Sequence, residues 1–118
     1  MGEVVAMKDT SLFSVQADLC RAMASAIRIE IIHVLRDGPR RLGEITQATD
    51  HPPSTISRHL AVLRNAGIVT AGHHGAETLY QITNPKIAHI CDLMREVLAE
   101  EVARRSLVIQ GLGNDHPR

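Results

Sequence analysis

Aromatic residues are almost absent from the sequence, which has no tryptophan, one tyrosine and one phenylalanine. The core must therefore be built from leucine, isoleucine, valine, alanine and methionine. Because aromatic residues are enriched in strands, this deficit favours packed helices over a β-sandwich. The length of 118 residues and the hydrophobic content of 44% predict a single globular domain.

Cysteine is also scarce, since Cys20 and Cys91 are too few for a disulfide framework in a chain of this length. No charged, apolar, cleavable leader precedes the first predicted helix, and charges interrupt the longest apolar runs. We therefore expect a cytoplasmic protein with both thiols reduced and with no membrane partner.

The sequence has no surplus of charge, because thirteen basic residues balance thirteen acidic ones. Net charge thus gives no indication of a nucleic-acid partner. Residues 36–68, however, hold five arginines against three acidic residues. This segment predicts a modestly basic surface on a neutral protein.

Apolar periodicity predicts a mainly α-helical fold with one small β-hairpin. Residues 1–9 and 111–118 have no clear period and are predicted to be a flexible arm and a flexible tail around a domain at 10–110. The predicted elements are helices at about 10–25, 27–36, 42–48 and 53–66, strands at 68–72 and 77–82, and a last helix from a cap at Thr83 or Asn84 to about Gln110.

The last helix is longer than a domain of this size can cover with its own body. Its surplus apolar face, together with that of the first helix, predicts a homodimer that pairs through these two helices.

Two short helices joined by about four residues have the spacing of a helix-turn-helix motif. With the hairpin after them they follow the winged helix-turn-helix plan, in which the second helix enters the major groove of DNA. Serine, threonine, arginine and histidine project from residues 53–66, and such side chains read base edges. The predicted partner is double-stranded DNA.

The segment STISRHLAVLRNAGIV, followed by a hairpin that ends in LYQI, resembles the recognition helix and wing of the ArsR/SmtB family of bacterial repressors. The resemblance extends from about Leu19 to Leu98, and ISRHLAVLR is a specific part of it. It implies a homodimer that binds a palindromic operator and releases it when an inducer binds. By position, it implies that the groove-facing residues are Ser54, Thr55, Ser57, Arg58 and His59.

Four further side chains are candidate DNA contacts. Arg41 and Arg64 belong to the basic segment, and His73 and His74 stand at the tip of a wing without lysine or arginine. Histidine gains charge as the pH falls toward 6, so we expect the wing to attract phosphate more strongly in mild acid. The alternative is that both histidines are simply solvated in a turn.

The two best-known metal sites of this family are not expected here. Arg41 and Gly43 stand where arsenite and cadmium sensors have cysteines. Because lysine and valine cannot complete a tetrahedral zinc site, neither a metal site nor a required cofactor is predicted. The positions that correspond to the zinc ligands are Asn84, Lys86, Val97 and Glu100.

Cys20 and Cys91 remain as a candidate thiol sensor, since the resemblance brings their helices together at the dimer interface. Thiols that face each other there could bind a thiophilic metal or metalloid. They could also oxidise and move the DNA-binding regions of the two subunits apart. Both cysteines also lie on apolar stripes, where a free cysteine packs as a small hydrophobe. His33 and His89 could supply a further ligand or could only be packed or solvated.

Two other functions remain open: a winged helix that contacts proteins without an inducer, and a regulator of this family that responds to a small organic ligand. An enzyme is not expected, because the sequence has no glycine-rich phosphate loop, nucleophile elbow or HExxH motif. Ser57 and His59 lie two residues apart on one helix and therefore point away from each other.

Overall fold

The computed structural model describes the backbone of residues 9–115 and the side chains of residues 11–111. Within that range it contains five helices and one antiparallel hairpin, which confirms the predicted fold class and the order of the elements. The elements are α1 (Asp9–Met23), α2 (Ala26–Leu35), α3 (Leu42–Thr49), α4 (Pro53–Asn65), β1 (Val69–His74), β2 (Glu77–Ile82) and α5 (Lys86–Asp115).

The ends of the chain differ in part from the prediction. Helix α5 continues to Asp115, so residues 111–115 of the predicted tail are helical. Glycine weakens a helix without ending it when its neighbours continue the hydrogen-bond ladder, which explains why Gly111 does not end α5. Residues 1–8 and 116–118 lie outside the described residues, and with them most of the predicted arm and the end of the tail.

Two of the helices start at short polar side chains. Ser25 is the N-cap of α2, where its hydroxyl accepts a hydrogen bond from the Arg28 amide at 3.3 Å. Asn84 Oδ1 accepts from the Lys86 amide at 3.0 Å, which confirms the predicted cap of α5. The Thr83 hydroxyl instead donates to the Gly67 carbonyl at 2.7 Å. This hydrogen bond connects the end of the wing to the end of α4.

The core lies where α2, α3 and α4 meet the base of the wing. It is aliphatic, as the composition predicts, and the predicted seam of α4 is buried in it. The largest fully buried side chains are Ile31, Ile32, Leu35, Ile45, Ile56, Leu60, Leu63, Ile68 and Val69.

The wing is a tighter hairpin than predicted. Its register runs from Val69 opposite Ile82 to His74 opposite Glu77, which leaves a turn of only two residues, 75–76. Gly75 adopts a φ of +66°, and glycine at the first turn position is typical of a type II′ hairpin. The predicted four-residue connection is therefore wrong: His73 and His74 belong to β1.

Helices α1 and α5 pack on this core and leave wide apolar surfaces exposed. α1 packs on α2 and α4, whereas α5 packs on α2. None of the helices between residues 9 and 115 has both the length and the apolar content that a membrane-spanning helix needs. On these two helices the large exposed apolar side chains are Leu12, Phe13 and Val15 on α1, and Ile90, Leu93, Met94, Val97, Leu98, Val102, Leu107, Val108 and Ile109 on α5.

Candidate nucleic-acid interface

Helix α4 presents a polar, non-acidic ridge to solvent. Ile56, Leu60 and Leu63 face the core, and the helix contains neither aspartate nor glutamate. Because side chains three and four residues apart share a helix face, the ridge runs along the side opposite the core. The exposed residues of α4 between positions 54 and 65 are Ser54, Ser57, Arg58, Ala61, Val62, Arg64 and Asn65.

The two arginines of this helix remain available for an anion. Arg58 and Arg64 are exposed, and neither forms an ion pair with any carboxylate among the described side chains. Arg64 and Asn65 also line a cleft of about 470 Å³ between α4 and β1, opposite Thr70. The cleft is lined by side chains of both α4 and the wing, polar and apolar alike.

The first turn of α4 adds backbone donors to this surface. Pro52 occupies the N-cap position, where no side chain caps the helix, and Pro53 follows it without an N–H group. The first amides after Pro53 therefore have no helical partner and point toward the outside. A helix start of this kind is suited to a phosphate group.

Thr55 and His59 are half-buried, unlike the other three residues of the predicted reading set. Arg28 Nη1 on α2 donates to Nδ1 of His59 at 3.1 Å. Since a guanidinium can only donate, Nδ1 accepts and the ring is neutral. Burial lowers the pKa of His59, and the positive charges of Arg28 and Arg58 lower this pKa further.

Arg28 is the residue that sequence reasoning missed. A serine cap three residues earlier indicates its position at the start of α2. No local pattern indicates its partner, because His59 lies 31 residues further along the chain.

Arg41 is placed beside the wing, but it is already paired. Its Nη1 donates to Glu77 Oε2 at 2.7 Å, and its Nε lies 3.5 Å from Glu44 Oε1. The hydrogen bond and the charge of Glu77 raise the pKa of Arg41. The side chain thus links the start of α3 to the wing, and the charge expected to meet phosphate is largely balanced by two carboxylates.

The wing histidines lie at its outer end, both exposed. His73 Nδ1 is 3.3 Å from the Thr78 hydroxyl, and His74 pairs across the hairpin with Glu77. Glu77 is therefore the acidic neighbour of the histidines as well as the partner of Arg41.

The two cysteines differ in environment. Cys20 is exposed on α1, whereas Cys91 on α5 is 3% exposed and belongs to the core. Burial raises the pKa of the Cys91 thiol, which disfavours its reactive thiolate. His89 is exposed, and His33 Nδ1 accepts from Arg36 Nη1 at 3.4 Å.

The residues at the two family metal positions do not fit a metal ion. At the position of the arsenite and cadmium ligands, Arg41 is a cation that pairs with Glu77 and Glu44. At the position of the zinc ligands, the side chain of Asn84 caps α5. In the part of the chain that the structure describes, no group of three or more His, Cys, Asp or Glu side chains is arranged to hold an ion.

Sequence comparison places these features among known proteins. Residues 25–71 match the family described as bacterial regulatory protein, arsR family. The transcriptional repressor SmtB of Mycobacterium tuberculosis is 38% identical over 73 residues, which cover 62% of this chain but only 54% of that protein. The uncharacterised regulator Rv0081 of the same organism is 32% identical over 107 residues, covering 90% of this chain and 94% of that protein.

Solved structures agree with the sequence comparison. The crystal structure of Rv0081 matches with a TM-score of 0.73 over 80% of this chain and 96% of that one, at 32% identity. The homodimeric winged helix-turn-helix DNA-binding domain of Mb0332 from Mycobacterium bovis, a possible ArsR-family regulator, matches with a TM-score of 0.74 at 27% identity, over 84% and 94% of the two chains. The chain therefore belongs to the ArsR/SmtB family of winged helix-turn-helix transcriptional regulators.

Proposed function

We propose that this protein is a transcriptional repressor that binds an operator in double-stranded DNA as a homodimer and leaves it when an inducer binds. The observation that carries the proposal is the exposed ridge of α4, which has no acidic residue and has two arginines without a carboxylate partner among the side chains of residues 11–111. In a winged helix-turn-helix protein, that helix is the one that enters the major groove.

The ridge supplies the side chains that base reading requires. Arg58 has a planar fork that can pair with both acceptors of a guanine, and Ser54 and Ser57 can each donate or accept at a base edge. Arg64 and the cleft beside it are suited to the phosphate backbone, as are the uncapped amides of the first turn. In this proposal the other predicted contacts are secondary: Thr55 is half-buried, Arg41 is paired, and His73 and His74 lie at the outer end of the wing.

The apolar faces of α1 and α5 support the homodimer. Single exposed apolar residues are ordinary, but a row of them along α5, with three more on α1, marks an interaction surface. A twofold dimer would present its two α4 helices to major-groove segments about 34 Å apart, one turn of DNA.

The test of DNA binding is a salt titration of affinity for a duplex that the protein selects from a random-sequence pool. Arg64→Ala, which removes the proposed phosphate contact, is expected to weaken binding and to reduce the slope of log K against log salt by about one. Arg104→Ala on α5 removes the same charge from a side chain that pairs with Glu101 and should leave both quantities unchanged. Salt-independent affinity would favour the alternative, a winged helix that contacts proteins.

For the inducer, we propose an action through Cys20 and Cys91. The exposed Cys20 thiol is open to an oxidant or a soft metal, whereas Cys91 reacts only after α5 loosens, since burial raises its pKa. The double variant Cys20→Ser/Cys91→Ser should keep its DNA affinity and lose release by thiophilic metals, arsenite, polysulfide and peroxide. Undiminished release in that variant would contradict thiol sensing and leave a small organic ligand as the alternative.

A further inference from the structure

The side chain of Arg28 joins the end of α1 to the middle of α4. Its Nε donates to the Ala22 carbonyl at 2.6 Å, and its Nη2 donates to the Arg21 carbonyl at 3.4 Å. Its Nη1 donates to His59 Nδ1 at 3.1 Å. The first bond satisfies the Ala22 carbonyl at the end of α1, whereas the Arg21 carbonyl also accepts from the Ala24 amide at 3.1 Å. One guanidinium therefore contacts two helices from a third.

Arg28 is held firmly in place. Its backbone amide donates to the hydroxyl of Ser25, the cap that starts α2, and its side chain is half-buried. The planar fork fixes the directions of its donors, so it cannot follow α4 if that helix rotates while also holding the α1 carbonyls. A change in the angle between α1 and α4 must break one set of bonds or the other.

We propose that the Arg28–His59 contact sets the orientation of the recognition helix relative to α1, so that His59 is a positioning residue and not a base-reading residue. The inference rests on the proposed function, because DNA is what detects the orientation of α4. Since α1 belongs to the proposed dimer interface, the contact also links the spacing of the two subunits to the two reading helices.

The contact depends on the protonation state of one ring. His59 accepts from Arg28 only while Nδ1 is unprotonated, and burial together with nearby positive charge lowers the pKa of His59. These charges are Arg28 on α2, Arg58 on α4 and His51 in the α3–α4 connection, where His51 Nε2 lies 3.1 Å from Glu30. Three further elements, α1, α3 and β1, also pack on α4.

Acid should therefore weaken DNA binding through this contact. Above the lowered pKa the ring is neutral and the hydrogen bond is present. As the pH falls through that pKa, the ring gains a proton and faces the Arg28 guanidinium as a like charge. The opposite sign is the one predicted from the sequence for the wing. The two effects are separated by working in a His73→Gln/His74→Gln background.

The experiment measures affinity for a duplex of roughly 30 base pairs, long enough for two half-sites one turn apart, selected by the wild-type chain from a random pool. His59→Ala and Arg28→Met should each weaken binding by at least about fivefold, and the double variant should be no weaker than either single variant. His59→Asn is the conservative variant, because its Oδ1 can accept at the position of Nδ1 and does not titrate. It should bind like the background protein near pH 8 and keep that affinity as the pH is lowered through the range in which the background protein loses it.

Each other result overturns the inference. If His59→Ala weakens binding but Arg28→Met does not, or if the two effects add, His59 acts independently of Arg28 and reads DNA itself. If His59→Asn and the background protein share one pH profile, the His59 ring is not the titrating group. Thermal unfolding identifies any variant that loses its fold, and the His59→Asn comparison then still decides the matter. A wild-type chain that selects no duplex would instead reject the proposed function on which the inference rests.

Discussion

Gly67 ends the recognition helix with a φ of +77°, a conformation that costs any residue with a Cβ atom. No atom lies within 4 Å of the position that an added Cβ would occupy, so the cost of a substitution is that of the backbone alone. We expect Gly67→Ala to lower the free energy of unfolding by about 1 kcal/mol.

A matched control is available in α3. Gly43 also has no atom within 4 Å of an added Cβ, but it has an ordinary helical backbone. Gly43→Ala should stabilise the protein by up to about 1 kcal/mol, since alanine is the better helix former. Urea unfolding of both variants checks the pair, and equal signs would contradict the assignment of Gly67 as a left-handed stop.

Individual residues show which features of the structure could be predicted from the sequence. The seam of Ile56, Leu60 and Leu63 was predictable because helical periodicity records burial directly. The pairing of Arg41 with Glu77, 36 residues away, was not, because it depends on where the fold brings the wing. The same is true of His59, whose residue type suits DNA reading but whose contact with Arg28 on α2 lies 31 residues away in the sequence.

The wing is the element in which charge and geometry are most closely connected. Glu77 forms an ion pair with Arg41 and lies opposite His74 in the hairpin. Glu77→Gln should release Arg41 toward phosphate and strengthen DNA binding by roughly threefold at about 0.1 M salt, with a gain that fades as salt rises.

Glu101→Gln is the matched control for that change, because it removes the same charge from an ion pair with Arg104 on α5. It should leave affinity unaltered. Fluorescence anisotropy with the selected duplex at two salt concentrations measures both variants. Weaker binding by Glu77→Gln would show that the ion pair holds the wing in a useful position and that Arg41 does not act as a latent phosphate ligand.

At the level of elements, the sequence predicts types and order well and boundaries less well. The change of period after Gly67 identifies the hairpin, but its two-residue turn depends on the positive φ of Gly75, which leaves both wing histidines in β1. Helix α5 starts after the predicted Asn84 cap and passes its predicted end, because no proline interrupts it before its last described residue.

The whole molecule has more apolar surface than one chain covers. Leu98 is 62% exposed on α5, in the middle of the face proposed to pair with a second copy. Leu98→Arg should convert the dimer to a monomer, because an arginine buried at a twofold interface meets its own copy without a counter-charge. Analytical ultracentrifugation measures the change.

Ala103→Arg provides the control for oligomeric state. Ala103 is exposed on the same helix, about 140° around the axis from Leu98 at 100° per residue. Its substitution should leave the dimer intact and the DNA affinity unchanged. A Leu98→Arg variant that remains dimeric would show that the subunits pair through a different surface.

The central claim, that two copies of α4 read DNA together, is tested most directly by selecting duplexes from a random-sequence pool with the wild-type chain. The account predicts an enriched sequence with two inverted half-sites whose centres are about 10 base pairs, or one helical turn, apart. Failure to enrich any sequence over the starting pool, at low salt as well as at physiological salt, would contradict it.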